Sequence, residues 1–143
     1  MMVLRRVHII LIYGEYIGGC CCPRNNKQFG KKNLLDGSDE SCWYSEPGCP
    51  QWILLTFPDV VVMKQLLIQF QGGFAAEICT MYASCDDDLT EITSVYPTNS
   101  NKKQMFNVSD IKLRVLKIVF KASFDMYGRI IVYGLDILGN KCQ

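Results

Sequence analysis

An all-β sandwich of the jelly-roll kind is the fold class that the sequence predicts. Three observations predict it. Apolar residues alternate at period two in several short runs. Clusters of Gly, Pro, Asn and Asp separate those runs. No stretch carries the 3.6-residue periodicity of a long amphipathic helix. The chain has 143 residues, 49% of them hydrophobic and 20% charged, an ordinary globular balance for one domain. A domain of this size buries roughly 68–70% of its unfolded surface. It therefore needs neither a metal nor a disulfide in order to fold.

Residues 1–22 form an atypical N-terminal segment, and residues 23–143 form the sandwich domain. In the first segment two arginines, Arg5 and Arg6, precede an apolar run from Val7 to Tyr13. The run vaguely resembles a signal peptide, and Ile17–Cys20 echoes a lipoprotein cleavage box. It is far short of the about 20 apolar residues a membrane span requires. An edge strand of the domain and a misassigned exon are the other readings. Further on, Gln51–Phe57 reads as a strand ended by Pro58, which cannot donate to a ladder. Val60–Phe70 contains a second, with Leu66, Ile68 and Phe70 on one face, and Gly72-Gly73 stops it. A short helical turn is expected near Val108–Lys112, capped by Asn107 or Ser109. Leu116, Ile118 and Phe120 define a third strand, and Ile131, Tyr133, Leu135 and Ile137 a fourth. With Trp43 and Trp52, these residues make up the expected core.

Charge and histidine content exclude several functions. Fifteen Lys and Arg face fourteen Asp and Glu, for a net charge of +1. A nucleic-acid binder needs a basic face to displace counterions, so direct nucleic-acid binding is not expected. His8 is the only histidine and lies in the apolar N-terminal run. Two-histidine zinc sites cannot be built, and a Ser-His or Cys-His catalytic pair would have to use that one residue. The expectation is a binding domain rather than an enzyme, monomeric and without a membrane span. None of the eight cysteines has CxxC spacing, and reduced thiols in the cytosol or nucleus are the simpler reading.

Several short strings carry candidate chemistry. Asn33–Trp43 is rich in turn residues. Its Asp36, Asp39 and Glu40 carboxylates are candidate calcium ligands, since calcium takes six to eight oxygens. No other cofactor is indicated. Lys31, Lys32, Tyr44, Phe74 and Arg129 are candidate partner or ligand contacts on loops. Arg129 either pairs with Asp125 across the Phe124–Tyr133 turn or meets a partner's anion. Asp86–Asp88 reads as a solvated loop, because three neighbouring acids cannot converge on a cation. Met63–Leu67 imitates the leucine motif that docks in nuclear-receptor grooves. That motif requires a helix, and here the leucines follow a strand pattern. Asn107-Val108-Ser109 is a glycosylation sequon, relevant only if the chain is secreted.

Taken in order, the strings form a pattern. They are QFGKKNLLDGSDESCW at 28–43, QW at 51–52 with Phe57-Pro58, and QLLIQFQGGF at 65–74. Val95-Tyr96-Pro97, LKIVF at 116–120, YGRIIVY at 127–133 and LDILG at 135–139 follow. Across about residues 24–141 this resembles the nuclear receptor-associated proteins that bind the testicular orphan nuclear receptor. That family has a single domain of the discoidin, or coagulation factor 5/8 type C, galactose-binding-like class. The resemblance implies a jelly roll with loops gathered at one end. It also implies a nuclear corepressor that binds the orphan receptor and reduces the receptor's DNA binding. Secreted discoidin domains often tie their termini with a disulfide, and Cys20–Cys22 stand opposite Cys142 in this respect. A secreted glycan- or lipid-binding module, supported by calcium, is therefore the alternative that the resemblance leaves open.

Overall fold

The computed structural model describes residues 5–6, 10–11, 42–45, 47–86 and 88–141. Among them lie eight strands and no helix: β1 (Arg5–Arg6), β2 (Ile10–Leu11), β3 (Trp43–Tyr44), β4 (Gln51–Phe70), β5 (Ala76–Ser84), β6 (Thr90–Val95), β7 (Lys103–Ser123) and β8 (Ile131–Lys141). All pairings are antiparallel.

Two long strands build both layers of the sandwich. The first arm of β4, 51–56, pairs with the end of β7. That part of β7 also pairs with β5, which carries β6 at its far edge, while β2 lies on the other side of β4. The second arm of β4, 61–69, pairs with the start of β7 on one side and with β8 on the other. Strands β1 and β3 add to β8. Between the arms, residues 57–60 of β4 stand against Arg114 alone, because Thr56 pairs with Val115 and Val61 with Leu113. An insertion of this kind bends a strand and lets it pass from one layer to the next.

The expected break at Pro58 is thus a bend within one continuous β4, not a strand end. Proline is tolerated at an irregularity because no ladder bond is required there. The expected helical turn at Val108–Lys112 is strand as well. Residues 108–110 face Lys64 across a second irregularity between Met63–Ile111 and Gln65–Asn107. The Asn-Val-Ser-Asp string signals a break in the ladder, and pairing on both sides keeps it extended. Lys64 Nζ closes this bulge with bonds of 2.9 Å to both oxygens of Asp110.

The core lies between the two layers. Leu66, Ile68 and Phe70 meet Leu116, Ile118 and Phe120 there, with Trp43 closing one side. Phe70 is edge-on to Phe120 at 6.1 Å, and Trp43 lies 6.2 Å from the same ring. Leu135 and Ile137 are buried as expected. Three expected core residues are not fully buried. Trp52 lies on the opposite face of β4 from buried Ile53, Leu55 and Phe57, beneath the Lys117 ammonium at 4.8 Å. Because Gln51–Phe57 is apolar at almost every position, alternation could not assign its inward phase. In β8 and the residue before it, the inward side chains are Ile130 and Val132, then Leu135 and Ile137, so Ile131 and Tyr133 are only partly buried. Gln69 pairs with Gly134 and Phe70 with Val132, which leaves Tyr133 as the extra residue of a bulge. One extra residue reverses the phase of everything on one side of it.

Candidate functional site

Both arms of β4 end at the same pole of the sandwich, opposite the bend, and the loops gather there. Ser45 and residues 47–50, 71–75, 96–102 and 124–130 are held together at that pole by specific bonds. Ser45 N–H donates to the Ile130 carbonyl at 2.9 Å, and Ile130 N–H returns to Ser45 Oγ at 2.9 Å. Phe124 N–H donates to the Ala75 carbonyl, and Ile131 N–H to the Phe74 carbonyl. The Gly72 and Gly73 amides donate to Asn101 Oδ1 and Asn99 Oδ1 at 2.6 and 2.7 Å. These two asparagines satisfy the inner amides of a tight turn that the Phe74 N–H closes on the Gln71 carbonyl at 3.0 Å.

The β7–β8 turn is the most ordered chemical unit of this pole. The Asp125 carboxylate accepts from Tyr127 N–H at 3.2 Å and Arg129 N–H at 3.0 Å. It also accepts from Arg129 Nε at 2.8 Å and Nη2 at 3.1 Å, a bidentate pair. The Arg129 guanidinium holds this carboxyl at about 2, below its ordinary 3.8, chiefly through its hydrogen bonds. The same bonds to Asp125 raise the Arg129 pKa. Ser123 Oγ accepts from Asp125 N–H and donates to the Arg129 carbonyl, closing the turn from below. Gly128 has φ of +76°, and a Cβ there would lie 2.9 Å from the Gly48 carbonyl carbon. Only glycine allows the two loops to touch at this point. Gly48 N–H then donates to the Tyr127 carbonyl at 2.7 Å, and the Cys49 thiol donates to the Gly128 carbonyl.

The guanidinium of Arg129 lies 5.0 Å from the Phe74 ring and 5.4 Å from the Tyr127 ring. Of the expected contacts, Phe74 and Arg129 are therefore brought together. Tyr44 is placed by backbone pairing with Ile131 at the same pole, its side chain lying outside the described residues. Lys31, Lys32, Asp36, Asp39 and Glu40 lie outside the described residues, as do His8, Cys20–Cys22 and Cys142. Among the described residues, no group of three or more His, Cys, Asp or Glu could hold a metal ion. No helix among them is long and apolar enough to cross a membrane.

Sequence reasoning missed the exposed side of this turn. Phe124, Met126 and Tyr127 are 42%, 87% and 63% exposed. The signal was available: turns ordinarily carry Gly, Asn, Asp, Ser and Pro, whereas Phe124-Asp125-Met126-Tyr127 places three large apolar residues at one.

Two long strands shared between layers, with loops gathered at one pole, define a jelly-roll β-sandwich with the fold of galactose-binding-like domains. Solved structures agree with this class. The C-terminal domain of a chitobiase from Bacteroides fragilis superposes with a TM-score of 0.72 at 18% identity, covering 98% of this chain and 95% of that one. The family 32 carbohydrate-binding module of Clostridium perfringens NanJ, solved with galactose, gives 0.70 at 13% identity, covering 79% and 87%. No protein-family model matches the chain. The nuclear receptor 2C2-associated protein of Danio rerio is 48% identical over 120 residues, covering 82% of this chain and 85% of the relative. The Homo sapiens protein of that name is 40% identical over 119 residues, covering 82% and 86%. The chain belongs to the nuclear receptor 2C2-associated protein family.

Proposed function

We propose that this chain is a non-enzymatic nuclear interaction module. It binds an orphan nuclear receptor of the 2C2 type and represses transcription by reducing the receptor's hold on DNA. The observation that carries this reading is the 40–48% identity to relatives named for association with that receptor. Two features support it. Cys49 and Cys85 are exposed free thiols, which suits a reducing compartment. Among the described residues the loop pole exposes Phe124, Met126 and Tyr127 on one turn, which suits a protein partner. The test is a gel-shift titration with purified receptor on its DNA site. Added full chain should deplete the receptor–DNA complex, and an unchanged shift at excess chain would refute repression by this route.

A second reading has one observation in its favour: Phe74, Tyr127 and Arg129 converge at a loop pole on a fold shared with sugar-binding modules. In that reading the chain is a secreted glycan- or lipid-binding module, with Asp36, Asp39 and Glu40 holding calcium. Titration with galactose, with and without a chelator, separates the two. Saturable, chelator-sensitive sugar binding without receptor association would replace the first reading by the second.

A further inference from the structure

Six large apolar side chains are well exposed among the described residues, and three of them, Phe124, Met126 and Tyr127, stand on the single β7–β8 turn. Exposure of isolated apolar residues is ordinary, whereas a cluster on one rigid turn calls for an explanation. The turn is rigid because Asp125 accepts four hydrogen bonds, Ser123 Oγ ties both of its ends, and Gly128 is wedged against Gly48. Arg129 gives Nε and Nη2 to this lock, with aromatic rings near it, while its side chain stays 39% exposed. In this lock it acts as a positioning residue for the turn.

We propose that Phe124, Met126 and Tyr127 form a preorganised tip that inserts into an apolar pocket of the nuclear-receptor protein. The inference rests on the receptor-binding reading above and names the surface that carries it. Charge selects the occupant. Asp125 and Arg129 cancel each other, and among the described residues the exposed charges near the adjoining ends of β5 and β7, Glu77 and Lys121, are one of each sign. Such a tip has no attraction for phosphate groups and complements an uncharged protein surface. Tyr, Phe and Met are the residue types enriched in the dry centres of protein interfaces, and a tip already fixed in shape loses little entropy on docking.

The experiment measures the affinity of the full chain for full-length receptor, together with thermal unfolding of each variant. Met126→Ser/Tyr127→Ser should weaken association at least tenfold with an unchanged unfolding midpoint. Met126→Asp, at the most exposed position, should do the same and serves if the double variant is unstable. Leu89→Ser, an exposed apolar residue at the opposite pole, should bind as wild type. Tip variants that bind as wild type would overturn the surface and leave receptor association standing. A wild-type chain that binds no receptor would overturn both. A dimer that the tip variants dissociate, or tip-dependent binding to phosphatidylserine vesicles without receptor binding, would assign the tip another occupant and overturn the proposal.

Discussion

Asp125 shows how one carboxylate organises a loop. Its pKa of about 2 lies below the ordinary 3.8 because Arg129 donates hydrogen bonds to the charged form. A carboxylate depressed in the folded state contributes stability that is complete above its unfolded pKa and is lost as pH falls through the folded value. The contribution should therefore be constant at neutral pH and disappear between about pH 4 and pH 2. Asp125→Asn should melt below wild type at pH 7, and the gap should close near pH 2 in paired thermal melts. Thiols supply a second residue-scale prediction. Burial pushes Cys79 up to about 12 and raises Cys42; burial, with Asp125 and Glu77, raises Cys49 too, but Cys49 and Cys85 are exposed and open to reagent. Alkylation of folded protein followed by peptide mapping should label Cys49 and Cys85 and spare Cys42 and Cys79 until unfolding. At this scale the site was half legible. An arginine beside an aromatic turn was readable from the string itself. Whether Arg129 turned inward to Asp125 or outward to a partner, and that Met126 and Tyr127 stood clear of the core, depended on which way the turn folds over Phe74.

Strands reveal why alternation reads well in some places and fails in others. On β4 no extra residue falls between Leu66, Ile68 and Phe70, the bulge beside them lying on β8, and Leu116, Ile118 and Phe120 pair with β5 without a shift, so their period of two is the burial pattern. In β8 the extra residue Tyr133 shifts the phase, and the same rule assigns Ile131 to the wrong face. Bulges depend on the partner strand, and a single strand's sequence carries only weak notice of them, here Gly134 and Pro58. Gly139 marks a tighter constraint. A Cβ at this position would run into the Val62 carbonyl oxygen, with Met63 Cα 3.2 Å away. Gly139 pairs with Met63 on β4 and with Arg5 on β1, so neither neighbour strand can retreat freely. Gly139→Ala should destabilise the fold by about 3 kcal/mol, the upper end for overpacking, as read by denaturant unfolding. Gly134→Ala, where nothing lies within 4 Å of the added methyl, should cost far less.

The whole molecule depends on β4 and β7 belonging to both layers. Neither layer can lose its strands without the other, since the 51–56 and 61–69 arms are one chain and pair with the two ends of one partner. Phe120 reinforces this coupling from within. It is carried by the layer containing β5, yet its ring meets Phe70 and Trp43, which belong to the layer containing β8. The domain should therefore unfold as a single cooperative unit, with no state in which one layer survives alone. Trp52→Phe leaves Trp43 as the sole tryptophan, a reporter for the β8 layer, while far-ultraviolet circular dichroism follows all strands together. The two denaturation curves should coincide. Phe120→Ala should lower stability by about 3–5 kcal/mol and move both curves by the same amount, because the cavity opens between the layers and not within one. Separated curves, with Trp43 fluorescence lost before the dichroism, would mean that the layers are independent units. The bend at residues 57–60 would then be a linker, contrary to the continuous pairing on which the loop pole depends.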